Sequence, residues 1–300
     1  MTYSIIARDP DTGEFGVAVE TRYFAVARYV PWAEAGVGVV ATQSFTEAAY
    51  GPRGLDLMRA GSSAPEALAK LMSEDPQTPI RQAAMMDAQG RVAVHTGERC
   101  VYAAGHRVGL HCSAQANMMA RESVPSAMVE AFESSSSGDL AERLLAACEA
   151  AEREGGDVRG KQSAALIVVP SQPSAKPWED RVFDLRVDDH PQPVKELRRL
   201  LTYTRYHHRA EVATDRGMAG DGAFALAEFE ACCAAFPDEP EFIFRRGLAL
   251  AAAGRYPEAV QQLAELRAKH PNWIETLRRF ARAGVIPATP EQIEALLAQS

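Results

Sequence analysis

The chain lacks any apolar run of the eighteen or so residues that span a bilayer, and its N-terminus lacks the basic-then-apolar pattern of a signal peptide. A membrane is therefore not expected as a partner, and the cytoplasm is the expected compartment. A basic excess is missing as well. Lys and Arg total 32 against 40 Asp and Glu, a net charge of −8, which argues against nucleic acid or an anionic surface as the main partner. Cysteine is scarce and odd in number, five at positions 100, 112, 148, 232 and 233 without a Cys-x-x-Cys spacing. These residues read as small apolar fillers in a reducing compartment rather than as bridges or zinc ligands. His106, His111 and Cys112 match no zinc pattern, so no metal site is expected. The stretch Gly155-Gly-Asp-Val-Arg-Gly-Lys-Gln-Ser163 is no Walker loop, because the glycine spacing is wrong and no helix follows.

What is present describes a soluble globular protein. Three hundred residues with 47% hydrophobic content can bury a sizeable core, divided between two domains. Up to about Asp188, strand-like segments at 3–9, 14–20, 37–43, 81–87, 91–96, 108–114, 163–169 and 182–187 alternate with helical ones near 53–60, 64–73, 122–134 and 139–153. Asp87-Ala88-Gln89-Gly90 reads as a hairpin turn. Ser63 with Glu66 offers a capping box, and Asp139 or Ser137 can cap the helix after the serine run 134–137. The helices arrive in consecutive pairs between groups of strands. That order favours an α+β layered sandwich over βαβ alternation. Asp188 to Pro193 reads as a linker.

Beyond it the strand signal ends. Gly220, Ala225, Phe229 and Pro237 return 34 residues later as Gly254, Ala259, Leu263 and Pro271, the period of a tetratricopeptide helical hairpin. The expected division is 1–190 for the layered domain and 191–300 for a small all-α domain whose repeats could take a protein partner.

The first strand begins at the very start of the chain, where most proteins fray. If Asp9 and Glu14 close the first hairpin, Thr2 lies opposite Thr21, flanked by Glu20 and Arg22. Threonine at position 2 permits removal of Met1, which would place a hydroxyl and a free α-amine on one residue. That amine has an unperturbed pKa of about 7.7–8.0 and can act as a base for its own Oγ1. Such chemistry requires an ordered terminus. Gln115 and Asn117 end a strand and are candidates to line a pocket. Asp157 and Arg159 read as a pair that locks their loop.

The motifs T-Y-S-I-I-A-R-D, G-V-A-V-E-T-R, A-T-Q-S-F, Y-G-P-R-G-L and G-G-D-V-R-G-K-Q-S-A-A-L resemble those of the domain of unknown function 1028 family, over roughly residues 2–190. That family is placed among N-terminal-nucleophile hydrolases, so the resemblance implies a four-layer αββα sandwich and amide hydrolysis without a cofactor. It implies Thr2 as nucleophile, with Glu20 orienting the amine or a positive neighbour. Arg22 would pair with Glu20 or bind a substrate carboxylate, and Gln43 would supply an oxyanion contact, with Ser44 beside it. Thr21, Ser44, Arg53, Gln115, Asn117 and Asp157 are the expected substrate-binding residues, and Arg22, Arg53 and Arg81 would suit a carboxylate-bearing molecule. One departure stands out. Proteasome-type members carry a lysine between the second and third of these motifs, whereas the first lysine here is Lys70; Arg28 or Arg53 could replace its charge. Sandwiches of this type often assemble, which implies a homo-oligomer.

The expected function is hydrolysis of a small amide or peptide-like substrate by Thr2. The alternative is a non-catalytic member of the same fold, binding a ligand or acting as an assembly module whose helical repeats recruit a partner.

Overall fold

The computed structural model describes residues 2–135, 138–284, 286, 291, 293, 294 and 298. Ser136 and Ser137, in the expected serine turn, lie outside them. Along the chain the elements are β1 (Thr2–Arg8), β2 (Phe15–Thr21), β3 (Pro31–Glu34), β4 (Gly38–Ser44), α1 (Tyr50–Arg59), α2 (Ala64–Glu74), β5 (Arg81–Asp87), β6 (Val92–Thr96), β7 (Gly105–Gly109), β8 (Cys112–Asn117), α3 (Val124–Ser134), α4 (Leu140–Arg153), β9 (Ser163–Val169) and β10 (Phe183–Val187). Helices α5 (Pro193–Met218), α6 (Gly222–Ala235), α7 (Pro240–Ala252), α8 (Tyr256–Lys269) and α9 (Pro271–Ala283) follow. The protein is thus mixed α/β with antiparallel sheets and a C-terminal helical region. None of the described helices is long and apolar enough to cross a membrane.

Two sheets form, in the orders β10-β9-β2-β1-β8-β7 and β3-β4-β5-β6. The first hairpin closes where Asp9 N–H donates to Glu14 O at 2.9 Å, and the register pairs Thr2 with Thr21. Asp9 Oδ1 holds the turn by accepting from the N–H groups of Asp11 and Thr12, the local bonding that suits Asp to turns. Ser63 and Glu66 form the capping box of α2, and Asp139 caps α4 by accepting from Glu142 N–H at 3.0 Å.

Two strand features differ from the sequence reading. Strand β3 has only four residues and opens on Pro31, so it shows no alternation to read; it lies at a sheet edge, where a proline removes no ladder bond. The segment expected as one strand at 108–114 is the hairpin of β7 and β8. Its turn is Leu110-His111, with His111 at φ 60. A turn without Gly, Asn or Asp in the left-handed position carries little sequence signal.

Alternation along the strands divides the side chains between two faces of each sheet. Tyr3, Ile5, Ala7, Ala114 and Ala116 face one way and pack with Val124, Met128, Phe132, Leu144 and Cys148 of α3 and α4. Ile6, Val17 and Val19 face the other way, packing with Val39, Ala41, Ala84 and Met86 of the second sheet. The far face of that sheet, through Val40, Ala83 and Met85, covers Leu55, Leu68 and Leu71 of α1 and α2.

The chain divides into compact units, one ending at Leu201 and one starting at Thr202. The expected boundary at 190 is therefore early, and the reason lies in packing. Val194, Leu197 and Leu201 on the first turns of α5 are buried in the same cluster as α3, α4 and the first sheet, and Arg198 Nε bonds Glu149 Oε1 at 2.9 Å. Leu197→Ala should cost about 2–5 kcal/mol, as for other buried leucines, read from urea unfolding of the full chain. A loss below about 0.5 kcal/mol, the scale of surface changes, would return the boundary to residue 190.

Candidate functional site

The N-terminal end of β1 lies between the C-terminal ends of β2 and β8. Thr2 is paired with Thr21 on one side and with Asn117 on the other. Directly paired residues share a face, so the three side chains converge on the side that meets the second sheet. Thr2 Oγ1 donates to Thr21 Oγ1 at 3.1 Å, and Thr2 is only 4% exposed.

A set of carboxamides encloses this end of the strand. Gln43 Nε2 and Asn117 Nδ2 both donate to the Thr2 carbonyl, at 3.2 and 3.4 Å. Both also donate to Gln82 Oε1, each at 2.8 Å. Gln82 is itself fixed, because its Nε2 donates to the carbonyls of Gly105 and Ala116 at 3.1 and 2.9 Å and to Thr96 Oγ1 at 2.9 Å. Two carbonyl acceptors settle which end of that amide carries nitrogen, and so settle its neighbours. Ser4 Oγ donates to Gln43 Oε1 at 2.7 Å and accepts from Gln115 Nε2 at 2.6 Å. Gln43, Gln82, Gln115 and Asn117 are all fully buried. A buried polar network of this kind is rigid only when its members are satisfied, and here one oxygen, Asn117 Oδ1, has no partner among the described residues.

Of the expected site residues, Thr2, Thr21, Gln43, Gln115 and Asn117 come together. Ser44 follows Gln43 at the strand end with φ 72, and its buried Oγ has no partner among the described residues. Two residues before it the Thr42 N–H donates to Val30 O at 3.1 Å, and the Phe45 N–H after it donates to Ile80 O at 3.4 Å. The other expected residues lie apart from this cluster. Glu20 is opposite Tyr3, not Thr2, and its carboxyl turns toward the helices, away from the Thr2 hydroxyl. Arg22 does not pair with Glu20; its guanidinium bonds Gln162 Oε1. Arg53 lies in an exposed ion pair with Glu74, where Lys70 also sits, while Arg28 stacks over Tyr29. Arg81 pairs with Asp75 at 2.8 Å and donates to Phe45 O. Asp157 is occupied as a brace: it accepts from the N–H of Arg22 and from the backbone and side chain of Arg159.

Sequence reasoning missed Gln82 and Ser4. The signal was available, since Thr2 and Ser4, and likewise Ser113, Gln115 and Asn117, alternate as polar residues in strands whose other positions are apolar. Among the described residues no group of three or more His, Cys, Asp or Glu could hold a metal ion.

On the reverse face, Glu20 is 1% exposed and neither carboxylate oxygen has a hydrogen-bond partner among the described residues. Burial, reinforced by the charges of Asp157 and Glu152, pushes its pKa up to about 8 from 4.5, against the opposing influence of the nearby Tyr3 hydroxyl and Lys161. Burial likewise raises the Tyr3 phenol and the Cys148 thiol. The folded chain holds the Glu20 proton more tightly than the unfolded chain does. Its stabilising effect is therefore full below about pH 4.5 and is lost as the pH rises through about 8. Between pH 5 and 8 the melting temperature of Glu20→Gln should rise relative to the parent chain, by about 2–4 °C for each kcal/mol. Parallel melting curves across that range would show that the carboxyl is not held neutral.

The family model that matches residues 2–197 is described as a family of unknown function (DUF1028). Among solved structures, the chain is similar to protein SPO2555 from Silicibacter pomeroyi, described as a DUF1028 protein, at 34% identity and a TM-score of 0.60, over 67% of this chain and 85% of that one. It is also matched to Anbu, an ancestral beta-subunit, from Yersinia bercovieri, at 12% identity and a TM-score of 0.33, over 68% of this chain and 94% of that one. No curated protein matches. With the family matched across most of its length and that relative a third identical, this chain belongs to the DUF1028 family.

Proposed function

We propose that the protein is an N-terminal-nucleophile hydrolase of a small amide or peptide-like substrate, with Thr2 as nucleophile once Met1 is removed. The observation that carries this reading is the seating of Thr2. A residue at the second position of the chain is an interior member of a six-stranded sheet, with its hydroxyl bonded to Thr21 and its carbonyl clamped by two buried amides. Order of that kind at a chain terminus is what a nucleophile needs and what a plain strand end does not.

The chemistry follows from the groups present. Thr2 Oγ1 attacks the substrate carbonyl carbon while its proton passes to the α-amine of the same residue. The Ser44 N–H, at the end of the strand that carries Gln43, is the donor for the resulting oxyanion. Collapse breaks the carbon–nitrogen bond as the amine returns that proton to the leaving nitrogen, leaving an acyl ester on Oγ1. Water then attacks the ester, giving its proton to the amine and thence to Oγ1, and the acid is released. Lys70 and Arg53 pair with Glu74 and Arg28 stacks over Tyr29, so none of these three takes the place of the proteasome-type lysine. The α-amine of Thr2 is the base in this mechanism.

Within the same reading the first unit is an αββα sandwich, supported by the sequence of apolar clusters from α3 and α4 through both sheets to α1 and α2. The second unit is tetratricopeptide-like. Helix α8 repeats α6 with an offset of 34 residues at both ends. Gly220 and Gly254 both take left-handed φ at matching turns, and a Cβ on Gly247 would lie 3.0 Å from Leu263.

The test is a screen of amides and dipeptides with the parent chain and Thr2 variants, with intact mass measured alongside. Mass should show loss of Met1. Thr2→Ala and Thr2→Val should lose activity by about a thousandfold or more with unchanged melting curves, and Thr2→Ser should retain it in part. Full activity in Thr2→Val, or a mature protein that keeps Met1, would instead favour a non-catalytic ligand-binding protein.

A further inference from the structure

We infer that Asn117 is a positioning residue for the amine: its carboxamide oxygen and its backbone carbonyl together hold the liberated α-amine of Thr2 so that the nitrogen lone pair faces Oγ1. The inference rests on the reading of Thr2 as nucleophile and names a device that reading requires, since an amine with three free rotational positions is a poor base for a hydroxyl on the next carbon.

Three observations lead to it. First, the phase of the ladder between β1 and β8 is set by Arg8 N–H, which donates to His111 O at 2.9 Å. Counting back through the unbroken register from that pair, every second pair is of the hydrogen-bonded kind, which includes Thr2 with Asn117. The Thr2 nitrogen therefore faces the Asn117 carbonyl. Second, the carboxamide of Asn117 cannot turn over. Its Nδ2 donates to Gln82 Oε1 and to Thr2 O, and reversal would set oxygen against both. Third, its Oδ1 is buried and unpartnered in a network whose other carboxamide oxygens all accept. A buried acceptor left without a donor costs about 1–3 kcal/mol.

Removal of Met1 turns one amide N–H into an amine with two N–H groups and a lone pair. One N–H keeps the Asn117 carbonyl, and the second meets the idle Oδ1. The lone pair is left for Oγ1. Everything bonded to Thr2 on this face is neutral, namely Thr21, Gln43 and Asn117, while Glu20 lies on the opposite face and Arg22 beyond the strand end. A charge introduced at Asn117 will therefore act on the amine without competition.

The experiment uses the full chain beginning at Thr2, released from a cleavable N-terminal fusion and labelled with 15N-threonine. The 15N shift of the single amine resonance is followed against pH. Asn117→Asp should raise the amine pKa by about one unit or more, the effect of an opposite charge in contact. Asn117→Leu, which keeps the size and removes the acceptor, should lower it. Gln115→Glu places the same charge one pair further along the same face and should move the amine less than Asn117→Asp does. Melting curves identify any variant that fails to fold; of the variants at 117, either one that folds is decisive. An amine pKa unchanged in the folded Asn117 variants, or shifted equally by Gln115→Glu, would overturn the assignment. The titration needs no turnover, so it fails or succeeds separately from the Thr2 activity test.

Discussion

The arrangement around Thr2 depends on the Gln82 carboxamide. Gln82 belongs to the second sheet, yet its nitrogen is held by the Gly105 and Ala116 carbonyls of the first, and its oxygen receives both amides that grip the Thr2 carbonyl. Elsewhere the sheets meet through aliphatic side chains such as Ile6, Val17, Val39 and Met86, which tolerate small slides. A fully buried amide with fixed partners does not, because losing one leaves a polar group unsatisfied at a cost of about 1–3 kcal/mol. Gln82 thus converts the apolar packing of two sheets into a defined position for the first residues of the chain.

The sheet that carries Thr2 separates two kinds of polar environment by the thickness of one strand. Toward the second sheet, among the described residues, the side chains hydrogen-bonded to Thr2 are those of Thr21, Gln43 and Asn117, all neutral. Toward the helices lie Glu20, Glu152, Asp157 and Lys161, and there burial keeps Glu20 protonated near neutral pH. Asp157 joins the two by bonding the backbone N–H that follows Thr21. Its carboxylate is consumed by that N–H and by Arg159, which suits a brace and leaves no lone pair for a ligand.

The helical region begins inside the first compact unit. Val194, Leu197 and Leu201 complete the core over α3 and α4, while residues of the same helix from Tyr203 onward pack with Phe229, Phe236 and Phe242 in the second unit. The loop before α5 is a linker in composition but not in energetics, since the apolar surface that follows it belongs to the domain before it.

By itself the sequence determined the local facts. Alternation and the turn at Asp9 to Glu14 set the register of the first hairpin, so the pairing of Thr2 with Thr21 is legible in the residues themselves; so are the caps at Ser63 and Asp139 and the 34-residue echo of the helices. These are fixed by neighbours in the chain, through backbone geometry and short-range hydrogen bonds. Tertiary structure alone decided the rest. That Gln43 and Asn117 converge on the Thr2 carbonyl, both held by the Gln82 oxygen, follows from the docking of two sheets. Composition could not reveal this, because a glutamine in a strand reads the same whether it meets solvent or a carbonyl. The αL turn at His111 was hidden because its left-handed position lacks the residue types that mark such turns, and the boundary at Leu201 because it is set by contacts between residues far apart in the chain, which no local pattern records.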